Sequence, residues 1–183
     1  DLLKLVRSAG IKWLALGIES GDKSVRLEVS KGKFEDVDIH KVITQIHDSD
    51  IEVMGNYIFG LPGDTIETMQ KTLDLSTELC TAGWNAYAAM ALPGSNLYKD
   101  ALDKNLTVPT EYEEFSFLSD KTVALSTESL SYQDIIKFRD RAFIQYHSNI
   151  PFLDRIKSKF GSKAVDNINK MLELNLQRNF YEE

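Results

Sequence analysis

The sequence predicts an α/β fold built from parallel βαβ units. Two observations carry this. Three short apolar runs, near residues 11–18, 52–59 and 86–92, alternate with segments whose apolar residues recur at helical spacing. Each run also ends in a polar loop containing glycine, and parallel α/β folds bind ligands at the carboxyl ends of their strands.

Taken in order, Leu2 to Ala9 show helical apolar spacing with Gly10 as the stop. Ile11 to Ile18 is a nearly continuous apolar run, the pattern of a strand buried on both faces. The turn Glu19-Ser20-Gly21-Asp22 leads into a short helix over 23–29. A stronger helix covers about 36–49, with Val37, Val42, Ile43 and Ile46 on its apolar side. The second strand is Glu52 to Phe59, followed by the tight loop Gly60-Leu61-Pro62-Gly63-Asp64. Thr65 is an N-cap with threonine rather than Glu or Gln three residues on, which predicts an incomplete capping box. A helix follows over 66–80. The third strand is read as Ala86 to Leu92, and Pro93-Gly94-Ser95 turns it into a helix over 96–103. Residues 107–129 read as loop with a short strand. Ser131 opens a helix through His147, and 151–180 is helical with a break at Gly161.

Composition bounds the function. With 43% hydrophobic and 27% charged residues, the chain is that of a soluble globular protein able to bury one core. A net charge of −7 argues against broad electrostatic binding of nucleic acid. No run is long and apolar enough to span a bilayer. One cysteine, Cys80, excludes an internal disulfide and fits a reducing, cytoplasmic setting. His40, His47 and His147 are not spaced as a metal site. The chain opens without Met inside an amphipathic segment, the start expected of a piece of a longer protein.

Two segments carry the chemistry. One is Gly17-Ile18-Glu19-Ser20-Gly21 followed by Ser30-Lys31-Gly32. The other runs from Gly55-Asn56 through Gly60-Leu61-Pro62-Gly63-Asp64-Thr65. In order and spacing they resemble strings recurrent in the second half of the radical S-adenosylmethionine (SAM) superfamily. Leu92-Pro93-Gly94-Ser95 is similar to that family's sixth-strand loop. The resemblance covers roughly residues 1–105.

The resemblance implies the C-terminal half of a (β/α)6 partial TIM-type barrel over residues 1–106, strands four to six. Residues 107–183 would be a mostly helical C-terminal extension. It implies SAM as a cofactor, chelated to a [4Fe–4S] cluster and cleaved reductively to a 5′-deoxyadenosyl radical that attacks a substrate the sequence does not name. It also implies an electron donor of flavodoxin or ferredoxin type. Glu19, with Ser20 beside it, would hydrogen-bond SAM. Lys31 would face its carboxylate, and Asn56 its ribose hydroxyls. Gly60 and Leu61 would let the backbone approach the adenine. Glu19, Asn56 and Gly60 are thus expected on one face. The CxxxCxxC cluster motif is absent, so its cysteines are expected upstream of Asp1, and this chain alone would lack turnover. The helix led by Leu130-Ser131, with Arg139, Arg141 and Tyr146, is similar to the tail of the cobalamin-associated subgroup, which adds cobalamin as a cofactor of the parent. The family pattern often has glutamate where Asp64 stands, which leaves Asp64 without a specific role.

Other readings stay open on the residues alone. Glu19 also reads as an exposed turn acid, and Lys31 before Gly32 as an ordinary helix C-terminus. Three βα units also suit half of a (β/α)8 barrel enzyme that binds a phosphate or sugar at a helix N-terminus. A non-enzymatic interaction module would instead show an exposed apolar patch on the 131–147 helix.

Overall fold

The computed structural model describes residues 1–31 and 35–180. Gly32 of the lysine–glycine string and the acidic Tyr181-Glu182-Glu183 lie outside the described residues. Three parallel strands stand side by side in chain order: β1 (Trp13–Glu19), β2 (Glu52–Phe59) and β3 (Gly83–Ala88). Among the described residues the helices are α1 (Leu2–Ser8), α2 (Lys23–Ser30), α3 (Ile39–Asp48), α4 (Ile66–Leu79), α5 (Asn96–Asp103), α6 (Tyr132–His147), α7 (Ile150–Phe160) and α8 (Ser162–Leu172). The fold is therefore α/β with a parallel sheet. None of these helices is long and apolar enough to cross a membrane.

Each strand shows one face to the helices. On that side Ile18, Val53, Tyr57, Phe59, Trp84, Ala86 and Ala88 are buried in one cluster. Met69 and Leu73 of α4 and Ile135, Ile136, Phe138 and Tyr146 of α6 complete it. Phe138 meets Phe59 edge-on at 5.1 Å, and Tyr146 stacks on Trp84 at 4.9 Å. The segment after residue 107 thus shares its core with the sheet. Arg139 of α6 donates from Nε to the Ala86 carbonyl at 3.1 Å and so caps a backbone acceptor of the edge strand β3.

Several expectations change. β1 is not buried on both faces: Trp13 is 42% exposed, because β1 lies at the sheet edge with its second face uncovered. β3 begins three residues before the expected start at Ala86 and ends at Ala88. The alternation Trp84, Ala86, Ala88 sets its buried face, and Asn85 had broken the apolar run on which the reading relied. Ala89 then leaves the ladder, donating to the Phe59 carbonyl at 2.8 Å. Residues 107–129 hold a short 3₁₀ turn at Tyr112–Phe115 and no strand. The C-terminal helical stretch stops at Leu172 rather than continuing to 180. The capping box of α4 is complete: Thr68 Oγ1 accepts from the Thr65 N–H at 2.8 Å, so a threonine hydroxyl does the work expected of Glu or Gln.

The opposite face of the sheet is only partly covered. Its rows run across all three strands: Ala15, Met54 and Gly83 in one, then Gly17, Asn56 and Asn85 in the next. Ile58 and Tyr87 follow toward the carboxyl end. At the amino end α7 closes this face. Phe160 stacks on Trp13 at 5.8 Å, while Arg155 and Lys159 pair with Glu52 at 2.5 and 2.9 Å. Burial alone pushes the Glu52 carboxyl up, but the two cations overcome this and hold it below its ordinary value. At the carboxyl end Val25 of α2 packs with Leu61, Ala89 and Ile58. Between these two ends the face is open.

Candidate functional site

Among the described residues, Glu19 is the one acid on the open middle of this face. The ladder is irregular between Gly17 and Glu19, and Glu19 takes a left-handed backbone, with φ 65°. This keeps Ile18 in the core while the Glu19 side chain folds back along the open face. Its carboxylate lies where a Cβ at position 17 would stand, so the glycine is required by a close approach. Among the described residues nothing donates a hydrogen bond to this carboxylate. It lies half-buried, and burial pushes its carboxyl up. A desolvated acid without a partner is costly unless something binds it.

Asn56 lies on the same face, paired in the ladder with Gly17. Its Nδ2 donates to the Leu16 carbonyl at 3.2 Å and, at 3.4 Å, to that of Met54. Its Oδ1 accepts from Asn85 Nδ2 at 3.0 Å. Asn85 was not among the expected site residues, because the third strand was read as starting one residue later. Glu19 and Gly17 also line a cavity of about 520 Å³ along the free edge of β1, which Arg26 of α2 and apolar residues of α3 complete.

The other expected residues fall elsewhere. Ser20 is fully buried. Its hydroxyl lies 3.2 Å from Thr72 Oγ1 and accepts from the Asp22 N–H at 3.1 Å, so it docks the turn onto α4 rather than facing a ligand. Lys31 is exposed and closes α2 in a left-handed conformation, φ 52°, as an ordinary helix C-terminus does. The cation beside Glu19 in the cavity is Arg26, whose Nη1 donates to the Ser20 carbonyl at 2.8 Å. Gly60 does not share the face of Glu19 and Asn56. Its side-chain direction is filled by Ile135 of α6, so the bare Cα serves packing and not the approach of a planar base. Leu61 is buried among Val25, Ala89 and Ile58.

Asp64, which the sequence reading left without a role, organises the loop. Its carboxylate accepts from the Leu61 N–H at 2.9 Å and the Thr68 hydroxyl at 2.6 Å, and it also bonds the Gly60 backbone. Burial pushes this carboxyl up, against the pull of those hydrogen bonds. The loop donors at Gly60 and Leu61 are therefore spent within the protein. The signal that could have found this is chemical: a short acid behind a glycine-rich turn can reach the turn's own N–H groups.

Two further hollows bear on function. One, about 630 Å³, lies between the Gly60–Gly63 loop, α5 and residues 125–129. Another of about 630 Å³ lies between α6 and residues 171–176, with Ile144 and Leu174 exposed in it. Among the described residues no group of three or more His, Cys, Asp or Glu side chains is placed to hold a metal ion.

Fold and site together define an α/β protein with, among the described residues, an unpaired carboxylate and an amide pair on the open face of a parallel sheet. Comparison of the chain with protein-family models and with curated proteins finds no match in either.

Proposed function

We propose that the open face of this sheet is part of a SAM cleft and that the chain is the second half of a radical SAM (β/α)6 partial barrel. In this reading β1 to β3 are strands four to six, residues 1–106 form the partial barrel and 107–183 its extension. The observation that carries it is Glu19: a half-buried carboxylate without a partner among the described residues, folded over Gly17 beside Asn56 on the uncovered face. A ligand with hydroxyl or ammonium donors is what such a group accepts. Glu19 would hold the sugar or amino group of SAM, and Arg26 would replace Lys31 as the cation nearest its carboxylate.

The residues present do not fit a [4Fe–4S] cluster. It takes three protein thiolates, and Cys80 stands alone after α4, toward the amino ends of the strands and away from Glu19. Radical chemistry in the complete enzyme would draw its cysteines from elsewhere.

The phosphate-binding alternative has less support. The N-termini of α2 and α4, which follow β1 and β2, already face the carboxylates of Asp22 and Asp64. The groove beside α6, with Ile144 exposed, favours an added docking role for the extension and leaves the cleft reading unaffected.

Calorimetric titration of the chain with SAM tests the proposal. Saturable binding that weakens about tenfold or more in Glu19→Gln is the expected result, since a charge-assisted hydrogen bond is lost. Equal binding by the two proteins would remove the role given to Glu19.

A further inference from the structure

After α8 the apolar period changes from helical to two. Leu172, Leu174 and Leu176 alternate with Glu173, Asn175 and Gln177, the pattern of a strand that packs one face. This segment nevertheless joins no sheet. Among the described residues, no hydrogen bond reaches the backbone N–H or carbonyl of Asn175, Leu176 or Gln177. Both ends of the segment are fixed. At one, the Leu174 N–H donates to the Met171 carbonyl of α8 at 3.2 Å. At the other, Arg178 bonds Asp140 of α6 and the Phe117 carbonyl. The residues between are held along the groove of about 630 Å³ beside α6, with their backbone groups unspent.

The groove is apolar and positive. Leu118, Ile144 and Leu174 are each more than half exposed in it. From α6 it receives Lys137 and Arg141, one turn apart. The Arg141 guanidinium lies over the Phe138 ring at 5.1 Å, and among the described residues it meets no carboxylate. Asp140, the acid beside it, is already held by Arg178 and Arg139. α6 packs on the face of the sheet opposite the open one, so this groove and the SAM cleft are separate.

We infer that the groove binds an acidic, apolar segment of a partner protein, which adds to residues 173–177 as a strand. The unpaired backbone supplies the main-chain hydrogen bonds, and the groove takes the segment's alternate apolar side chains. Lys137 and Arg141 select for acids, whose charges they meet within a Debye length.

The probe is a labelled, capped peptide of about nine residues, with leucine at alternate central positions and glutamate elsewhere. Fluorescence anisotropy with the full chain measures its binding. Two control peptides carry lysine in place of glutamate, or N-methyl groups on alternate amides. The inference expects saturable binding of the acidic peptide, weakened about tenfold or more in each control. Leu174→Asp should lose the binding. Arg141→Glu, a change at an exposed position, should shift the preference toward the lysine peptide. Thermal melts establish that both variants fold. Absence of binding by the native chain, equal binding of the acidic and lysine peptides, or undiminished binding of the N-methylated one overturns the inference. Sedimentation and a titration with dodecanoate address the other occupants. A native dimer that Leu174→Asp dissociates assigns the groove to a second copy, and dodecanoate binding without peptide binding assigns it to a lipid. Either result overturns the partner segment.

Discussion

The Glu19 carboxylate lies over Gly17, in the space where any other residue would place its Cβ. This ties the glycine and the acid of one short string into a single device. Gly17→Ala should therefore act on binding more than on stability. The added methyl meets the far end of a flexible side chain, which can swing away at little cost. The expected result is a thermal midpoint within about 2 °C of the native value, with SAM affinity reduced roughly as far as in Glu19→Gln. Paired melts and titrations check it.

The raised pKa of Glu19 gives a second expectation. Burial makes ionisation harder in the folded chain than in the unfolded one. The protonated acid is thus the form the fold favours. Its contribution is fully present below the ordinary glutamate range and is lost as pH rises through the higher folded value. Glu19→Gln should be more thermostable than the native protein at pH 8, and the difference should close as pH falls toward 4. Melting curves across that range decide the sign. Saturating SAM should narrow the gap at pH 8 by stabilising the native chain more than the variant.

Asp64 is the third point. Removing its carboxylate strands the buried Leu61 N–H and takes the shorter of two acceptors from the Thr68 hydroxyl. Asp64→Ala should cost about 2–4 kcal/mol by denaturant unfolding, the range for more than one lost hydrogen bond to a charged acceptor. The amide of Leu61 should lose protection from hydrogen exchange before those of β2 do.

Arg178 locks the chain after α8 in a comparable way. Its side chain is fully buried and bonds Asp140 Oδ2 and Oδ1 at 2.8 and 2.9 Å, with the Phe117 carbonyl at 2.9 Å and Thr122 Oγ1 at 3.1 Å. A lysine keeps the charge but not the planar fork. Arg178→Lys should therefore destabilise by about 3 kcal/mol, and Asp140→Asn by a similar amount. The double variant should cost less than the sum, as expected for partners in one network.

How much of this the sequence disclosed depends on the length scale of each feature. β2, α5 and α6 were legible to within a residue, because Glu52–Phe59 is bounded by turn residues and Ser95 and Ser131 announce their helices. β3 was displaced because Asn85 interrupts its apolar run, and the reading took the interruption as a boundary when it lies inside the strand. The open face was not legible from β1. A strand lacking cover on one side and one buried on both have similar composition, and neighbours in space decide between them. The site divides the same way. Glu19 and Asn56 stand on one face, as the order of the strings suggested. Ser20, Gly60 and Asp64 carry side-chain or packing roles set by Thr72, Ile135 and the Leu61 N–H, groups up to 75 residues away in sequence. Local pattern finds the loop, but only the tertiary contacts show which of its groups are already engaged.

The central claim is that SAM binds on the open face beside Glu19 and Asn56. Its most direct test is the NMR spectrum of the isotope-labelled chain as SAM is added. The account predicts saturable shifts at Gly17–Glu19, at the side-chain amides of Asn56 and Asn85, and at Tyr87, with the groove between α6 and residues 171–176 unmoved. Shifts confined to that groove, or to the Gly60–Gly63 loop and residues 125–129, would contradict it.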